Sequence, residues 1–231
     1  MKLFSRFLSG LAVIFFGISQ SYAATTTVNF SGVFDYSVGI AGINGGDSFS
    51  GSFTYDLDPA NAIFIDTTIL SGFTDYGFNG PSYNGSISSG VMNYAFPDVE
   101  YMIGDNFSML ADMFYPGTPA GTFDLVLLGG SPSNFEFTLT GMTSMLVLVG
   151  EQSLFSGNGL NDINSLISDP AYIGAGLLLF NFNGTVDADG DPVPVGDAFG
   201  FAEVTPVPVP AAVWLFGSGL LGLMGFMRRK Q

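Results

Sequence analysis

The chain has 231 residues, 47% of them hydrophobic, with 32 glycines, 24 phenylalanines, 20 acidic residues, 5 basic ones, and neither histidine nor cysteine. The length suits one domain of about 150–200 residues plus processing segments, and the missing residue types exclude Ser-His-Asp, Cys-His and His-ligated metal chemistry as well as disulfide staples. The five basic residues, Lys2, Arg6, Arg228, Arg229 and Lys230, stand at the two ends, so the acidic body between them repels nucleic acid, cannot neutralise a phosphate and forms no carboxylate salt bridge of its own.

Residues 1–23 have the three zones of a secretory signal. Lys2 and Arg6 make a positive start, residues 7–18 are almost wholly apolar, and Ser21-Tyr22-Ala23 offers small residues at the positions a signal peptidase reads. Cleavage between Ala23 and Ala24 is expected. The apolar run of about 12 residues is short for a membrane span of roughly 20.

Residues 24–205 read as a secreted, acidic, all-β domain. Phe49, Gly51, Phe53 and Tyr55 alternate with polar residues, as do Met92, Tyr94 and Phe96, then Phe135, Phe137 and Leu139, then Leu178, Phe180 and Phe182. Period-two patterns rich in aromatics predict half-buried antiparallel strands. The unbroken apolar runs Phe123 to Leu128 and Met145 to Val149 predict central strands covered on both faces. Turn signals punctuate the chain at Asn44-Gly45-Gly46-Asp47, Asp58-Pro59, Asn79-Gly80-Pro81, Asn84-Gly85, Gly129-Gly130-Ser131-Pro132 and Asn183-Gly184. Leu160, Ile163, Leu166 and Ile167 have helical spacing and Pro170 follows them, which predicts one short helix. An antiparallel β-sandwich or jelly-roll-like body is the architecture this pattern favours.

Candidate chemistry is sparse. Asp187, Asp189 and Asp191 alternate in a glycine-containing loop, where their oxygens suit Ca²⁺, with Asp197 and Glu203 near in sequence. Pro192 and Ala198 occupy the positions where an EF-hand loop needs Gly and Glu, so the loop is not that motif; a solvated acidic loop is its plain alternative. Asp56 and Asp58 read first as turn chemistry before Pro59. Tyr76, Tyr83 and Tyr115, in Gly- and Asn-rich stretches, offer faces for a sugar ring. Four Asn-x-Ser/Thr triplets begin at Asn29, Asn84, Asn106 and Asn183 and carry little information in a chain of this composition. A glycosidase needs two carboxylates about 5–9.5 Å apart, and sequence cannot choose a pair; a Ser or Thr nucleophile would lack a His or Lys base within the body. The expectation is no enzymatic activity and no cofactor, with Ca²⁺ the one candidate ion.

The C-terminus, residues 206–231, opens with Val207-Pro208-Val209-Pro210-Ala211, continues as an uncharged apolar run over 211–227, and ends in Arg228-Arg229-Lys230-Gln231. As a helix at about 1.5 Å per residue the run covers roughly 25 Å, near the lower limit for a transmembrane segment, and the basic cluster stays cytoplasmic. The two prolines hold an extended segment just outside the membrane, accessible to a processing enzyme. An ordinary single-span anchor is the alternative.

This three-part tail resembles the PEP-CTERM sorting signal of Gram-negative bacteria, in its Val-Pro-x-Pro-Ala variant. The likeness is carried by Val207, Pro208, Pro210 and Ala211, by the block from Trp214 to Leu223, and by Arg228, Arg229 and Lys230. The residue between the prolines, Glu in the name-giving motif, is Val209. The stretch around Gly46-Asp47-Ser48-Phe49-Ser50-Gly51-Ser52-Phe53-Thr54-Tyr55-Asp56 is loosely similar to a strand of other secreted proteins of this kind. The resemblance implies export through the inner membrane, transient anchoring there, and recognition by an exosortase-type enzyme that releases or transfers the body to the cell surface or matrix. It also implies association with exopolysaccharide and biofilm. The expected function is that of a non-enzymatic surface or matrix protein; the alternative is a Ca²⁺- or carbohydrate-binding adhesin module, and a carboxylate-based hydrolase comes after both.

Overall fold

The computed structural model describes residues 25–68, 73–107, 122–130, 140–188 and 192–205. The cleavage junction Ala23–Ala24, the sorting residues Val207 to Ala211, the apolar run 211–227, Arg228 to Lys230, and the alternation at Phe135, Phe137 and Leu139 lie outside these residues. Among the described residues no helix is long and apolar enough to cross a membrane.

Among the described residues eleven strands follow one another: β1 (Thr25–Val38), β2 (Ser48–Asp56), β3 (Phe64–Asp66), β4 (Phe73–Asn79), β5 (Asn84–Ser89), β6 (Met92–Phe96), β7 (Asp98–Phe107), β8 (Phe123–Gly130), β9 (Thr140–Glu151), β10 (Tyr172–Val186) and β11 (Pro192–Thr205). A 3-10 turn, Pro59–Asn61, follows β2, and a short helix, α1 (Ile163–Leu166), precedes β10 where the apolar spacing predicts it. All strands pair antiparallel in a single sheet, in the order β3-β4-β7-β8-β9-β10-β11-β1-β2-β5-β6. The two facing layers that the pattern suggests are therefore wings of one continuous curled sheet. Register shifts at Phe34/Tyr36, Gly104/Phe107, Tyr172/Gly174 and Asn181/Phe182 interrupt the ladders, and such irregularities increase local twist and bend. The wings meet in the interior, where the rings of Tyr55 on β2 and Tyr101 on β7 lie 5.0 Å apart.

The wings differ in what they bury. In β8, in β9 and in the middle of β10 and β11 both faces are covered. Val126, Leu128, Leu146, Leu148, Leu177 and Leu179 join the main core. Their neighbours Leu125, Leu127, Val147, Val149, Leu178 and Phe199 form a second cluster on the opposite face. The two apolar runs are thus central strands, as their continuity predicts. Leu178, expected on a half-buried strand, sits between two fully buried neighbours because β10 lies between β9 and β11 in mid-sheet. The wing β1–β2–β5 keeps strict alternation: Val28, Phe30, Phe49, Phe53, Tyr55 and Ile87 are buried, while Asn29, Ser31, Ser50, Ser52, Ser86 and Ser88 are exposed or half-buried.

Phenylalanine and glycine are paired across this sheet. Phe30 stands opposite Gly51, Phe49 opposite Gly32, Phe53 and Phe96 opposite Gly85, Phe64 opposite Gly77, and Phe73 opposite Gly104. In each pair the ring lies where a β-carbon on the glycine would be. Glycine in a strand normally weakens it; here the missing side chain is the seat of a large apolar one, which restores the cross-strand contact.

One expected outcome follows from that seat. A β-carbon at Gly85 would stand 2.5 and 2.7 Å from ring atoms of Phe53, so Gly85→Ala should cost about 1–3 kcal/mol by overpacking. In urea denaturation the double variant Gly85→Ala/Phe53→Leu should be less destabilised than the sum of its two single changes. Additive losses would mean that the ring does not occupy the glycine's space.

Candidate functional site

The residues that sequence singles out fall in separate places. Asp187 is exposed just past β10, while Asp189 and Asp191 lie outside the described residues. Asp197, on β11, acts on the Tyr36 hydroxyl, and Glu203 stands exposed opposite Ser31. Among the described residues no group of three or more acidic side chains is placed to hold a metal ion.

Asp56 and Asp58 do the turn chemistry that their position before Pro59 suggests. Asp58 Oδ1 accepts from the Ala60 N–H at 2.9 Å and caps the 3-10 turn. Asp56, 1% exposed, accepts from the Asp58 N–H (2.9 Å), the Asn61 side-chain amide (3.0 Å) and the Tyr83 hydroxyl (3.0 Å). Neutral donors surround this carboxylate, as they must where no cation is at hand.

Of the three tyrosines, Tyr76 is structural and Tyr115 lies outside the described residues. Tyr76, Tyr55 and Tyr101 form a buried group under the 158–163 segment. The Tyr76 hydroxyl donates to the Asn158 carbonyl at 2.8 Å. Tyr55 and Tyr101 donate to the Asn161 carbonyl at 3.0 and 3.2 Å, and the Ile163 N–H donates to the Tyr55 hydroxyl at 3.1 Å. Desolvation raises the pKa values of all three phenols. They tie α1 and the segment before it across β2, β4 and β7.

Tyr83 has a different setting. It lines a cleft of about 450 Å³ with Asn79, Pro81, Asn84, Pro97 and Asp98, where the β4–β5 turn meets the β6–β7 junction. Its hydroxyl is held by Asp56 and its ring packs against Phe78 at 5.5 Å between centroids, so its orientation is set by the fold. Three rings and three polar side chains around a small open cavity suit the apolar face and hydroxyl rim of a sugar.

A group of perturbed carboxyls lies on β3, β4 and β7, in residues that sequence reasoning does not single out. Asp66 stands opposite Asp75, and Glu100 opposite Gly77, two positions from Asp75 on the same face. Asp75 is 2% exposed and its Oδ1 has no hydrogen-bond partner. Burial first, and then the charge of Asp66, pushes Asp75 up to about 7, against the Tyr76 N–H, which lowers it. Burial, then Asp75 and Asp98, pushes Glu100 up to about 8. The sequence signal was faint: isolated carboxylates inside strand-like runs, brought together only by the register. At β8, Asp124 is fully buried but accepts from the Asn106 and Phe155 N–H groups at 2.9 and 3.1 Å, which oppose the upward pull of desolvation.

The pH dependence has a definite sign. Carboxyls whose pKa values are higher in the fold than in the unfolded chain bind more protons when folded, so their stabilisation is complete below the unfolded values and lost as pH rises through about 7 and about 8. The melting temperature should therefore fall between about pH 5 and pH 9, and Asp75→Asn/Glu100→Gln should flatten that slope. A melting temperature that climbs over this range would contradict the assignment. No protein-family model, no curated protein and no solved structure matches the chain.

Proposed function

We propose that the chain is an exported, non-enzymatic cell-surface or extracellular-matrix protein of a Gram-negative bacterium. Signal peptidase removes residues 1–23, the segment 211–227 anchors the β domain transiently in the inner membrane, and an exosortase-type enzyme acts at Val207-Pro208-Val209-Pro210-Ala211. The released, sandwich-like domain then associates with exopolysaccharide.

The observation that carries this reading is the relation between charge and topology. Every basic residue belongs to one of the two terminal segments. Between them, β1 begins at Thr25 and β11 ends at Thr205, and these strands are antiparallel neighbours with Asn29 opposite Thr205. The start of one and the end of the other therefore lie at the same end of the domain. The described chain thus begins and ends at one end of the domain, which suits a body first threaded through a membrane and then held on it from behind. The lack of histidine, cysteine and internal lysine supports a binding rather than a catalytic role. A second reading, a carbohydrate-binding adhesin module, is favoured by the Tyr83 cleft; the Ca²⁺ form of that reading rests on Asp187, Asp189 and Asp191.

Intact mass and membrane fractionation of the protein from its own cells test the proposal. The expected product lacks the first 23 residues and the segment after the proline motif, with any excess mass reporting an attached glycan or lipid. A species that retains the complete tail and stays in the inner membrane would make this a simple anchored protein and overturn the sorting assignment.

A further inference from the structure

Two concavities lie in succession along β5. The Tyr83 cleft borders Asn84 at the start of the strand. The next outward positions, Ser86 and Ser88, follow at about 6.8 Å intervals and line a shallow groove of about 550 Å³ with Asn29, Ser50, Ser52 and Asn93. The register sets these side chains in rows across four strands: Asn29, Ser52, Ser86 and Ala95 in one, Ser31, Ser50, Ser88 and Asn93 in the next. We propose that this strip binds an uncharged polysaccharide, with Tyr83 seating one sugar ring in the cleft and the serine and asparagine rows hydrogen-bonding the chain beyond it.

Three features argue for that occupant. Serine and asparagine are not among the strand-favouring residues, and threonine is, so a face that only met water would be better built from threonine. A hydroxyl both donates and accepts, and an amide carries both functions, which matches the hydroxyls of a polyol without requiring charge. The Ser52 and Ser86 hydroxyls hydrogen-bond each other at 3.2 Å, which holds both oxygens on this face and leaves one O–H donor and acceptor lone pairs between them for a partner. Charge then selects the polymer. The groove has no ionisable carboxylate in its lining, and Asp98 in the cleft is 4% exposed. The chain as a whole carries −15, which repels an anionic polymer and draws a cationic one to its other faces. The cleft supplies the aromatic wall at one end, already oriented by Asp56 and Phe78, so little ordering cost remains for the ligand to meet. Two sites in line on one strand suit a polymer better than a single sugar.

The inference deepens the exopolysaccharide part of the proposed function and rests on that reading for the source of the polymer. Its test uses purified full-length protein, so it can fail while the sorting assignment stands, and the reverse. In native affinity electrophoresis the protein should be retarded in gels containing hydroxyethylcellulose or dextran and should run unretarded in alginate. Tyr83→Ala should weaken retardation about tenfold, the worth of one aromatic contact, while Tyr83→Phe, which keeps the ring, should retain most of it. Ser86→Val/Ser88→Val introduces strand-favouring residues and should bind several-fold more weakly with its melting temperature preserved. Absence of retardation in both uncharged polymers, retardation in alginate alone, or equal binding by the double valine variant would overturn the proposal. So would concentration-dependent dimerisation without polymer that Ser86→Val/Ser88→Val abolishes, which would give the face to a second copy of the chain.

Discussion

The curled sheet depends on the fit of phenylalanine rings into the space left by glycines on the neighbouring strand. A chain with 24 phenylalanines and 32 glycines would be expected to pack poorly if either type were scattered, since one overfills a strand pair and the other leaves it empty. Set opposite each other, they make a cross-strand unit of ordinary total volume in which the large member alone supplies the apolar surface. The units on β1, β2, β5 and β6 face the interior, and those on β3, β4 and β7 lie on the other face. Each also fixes register: a slip of one residue would turn the polar face inward, and a slip of two between β1 and β2 would set Phe30 against Phe49 or Phe53.

A second constraint comes from the missing cations. Buried carboxylates usually meet lysine or arginine; here they meet backbone N–H groups, an amide, a tyrosine hydroxyl or a proton. Asp56 and Asp124 take the first course and are satisfied where they stand. Asp75 and Glu100 take the last, drawn toward the protonated form by burial first, then by the charge of Asp66 on Asp75 and of Asp75 and Asp98 on Glu100. The tyrosines complete the pattern: their hydroxyls satisfy main-chain groups of the segment over one end of the roll, a task that charged side chains often share in other proteins.

Much of the fold was legible in the sequence for reasons of periodicity. Alternation revealed β2 and β6, continuity revealed β8 and β9 as doubly covered, and helical spacing ahead of Pro170 revealed α1. The strand order was not legible, because antiparallel neighbours such as β1 and β11 are joined by no local signal. The continuity of the sheet was hidden for the same reason, since facing wings and separate sheets share one alternation. The site was less legible still. Tyr83 was visible as an aromatic in a turn, but its equivalence with Tyr76 was an artefact of composition; only the fold buries one under Asn158 and leaves the other in a cleft. Asp66, Asp75 and Glu100 are far apart in the chain, and the serine rows gain meaning only when four strands are aligned.

The lengths of the strands carry a last consequence. The longest, β10, β11 and β1, lie together in mid-sheet with 15, 14 and 14 residues, while the two outermost, β3 and β6, have 3 and 5. A free strand margin is the usual template for runaway β-polymerisation. This sheet tapers to almost nothing at both margins, with Asp66 at the end of one and Pro97 just after the other. Among the described residues, a neighbouring copy that met either margin would find only the short ladders of β3 and β6 to extend.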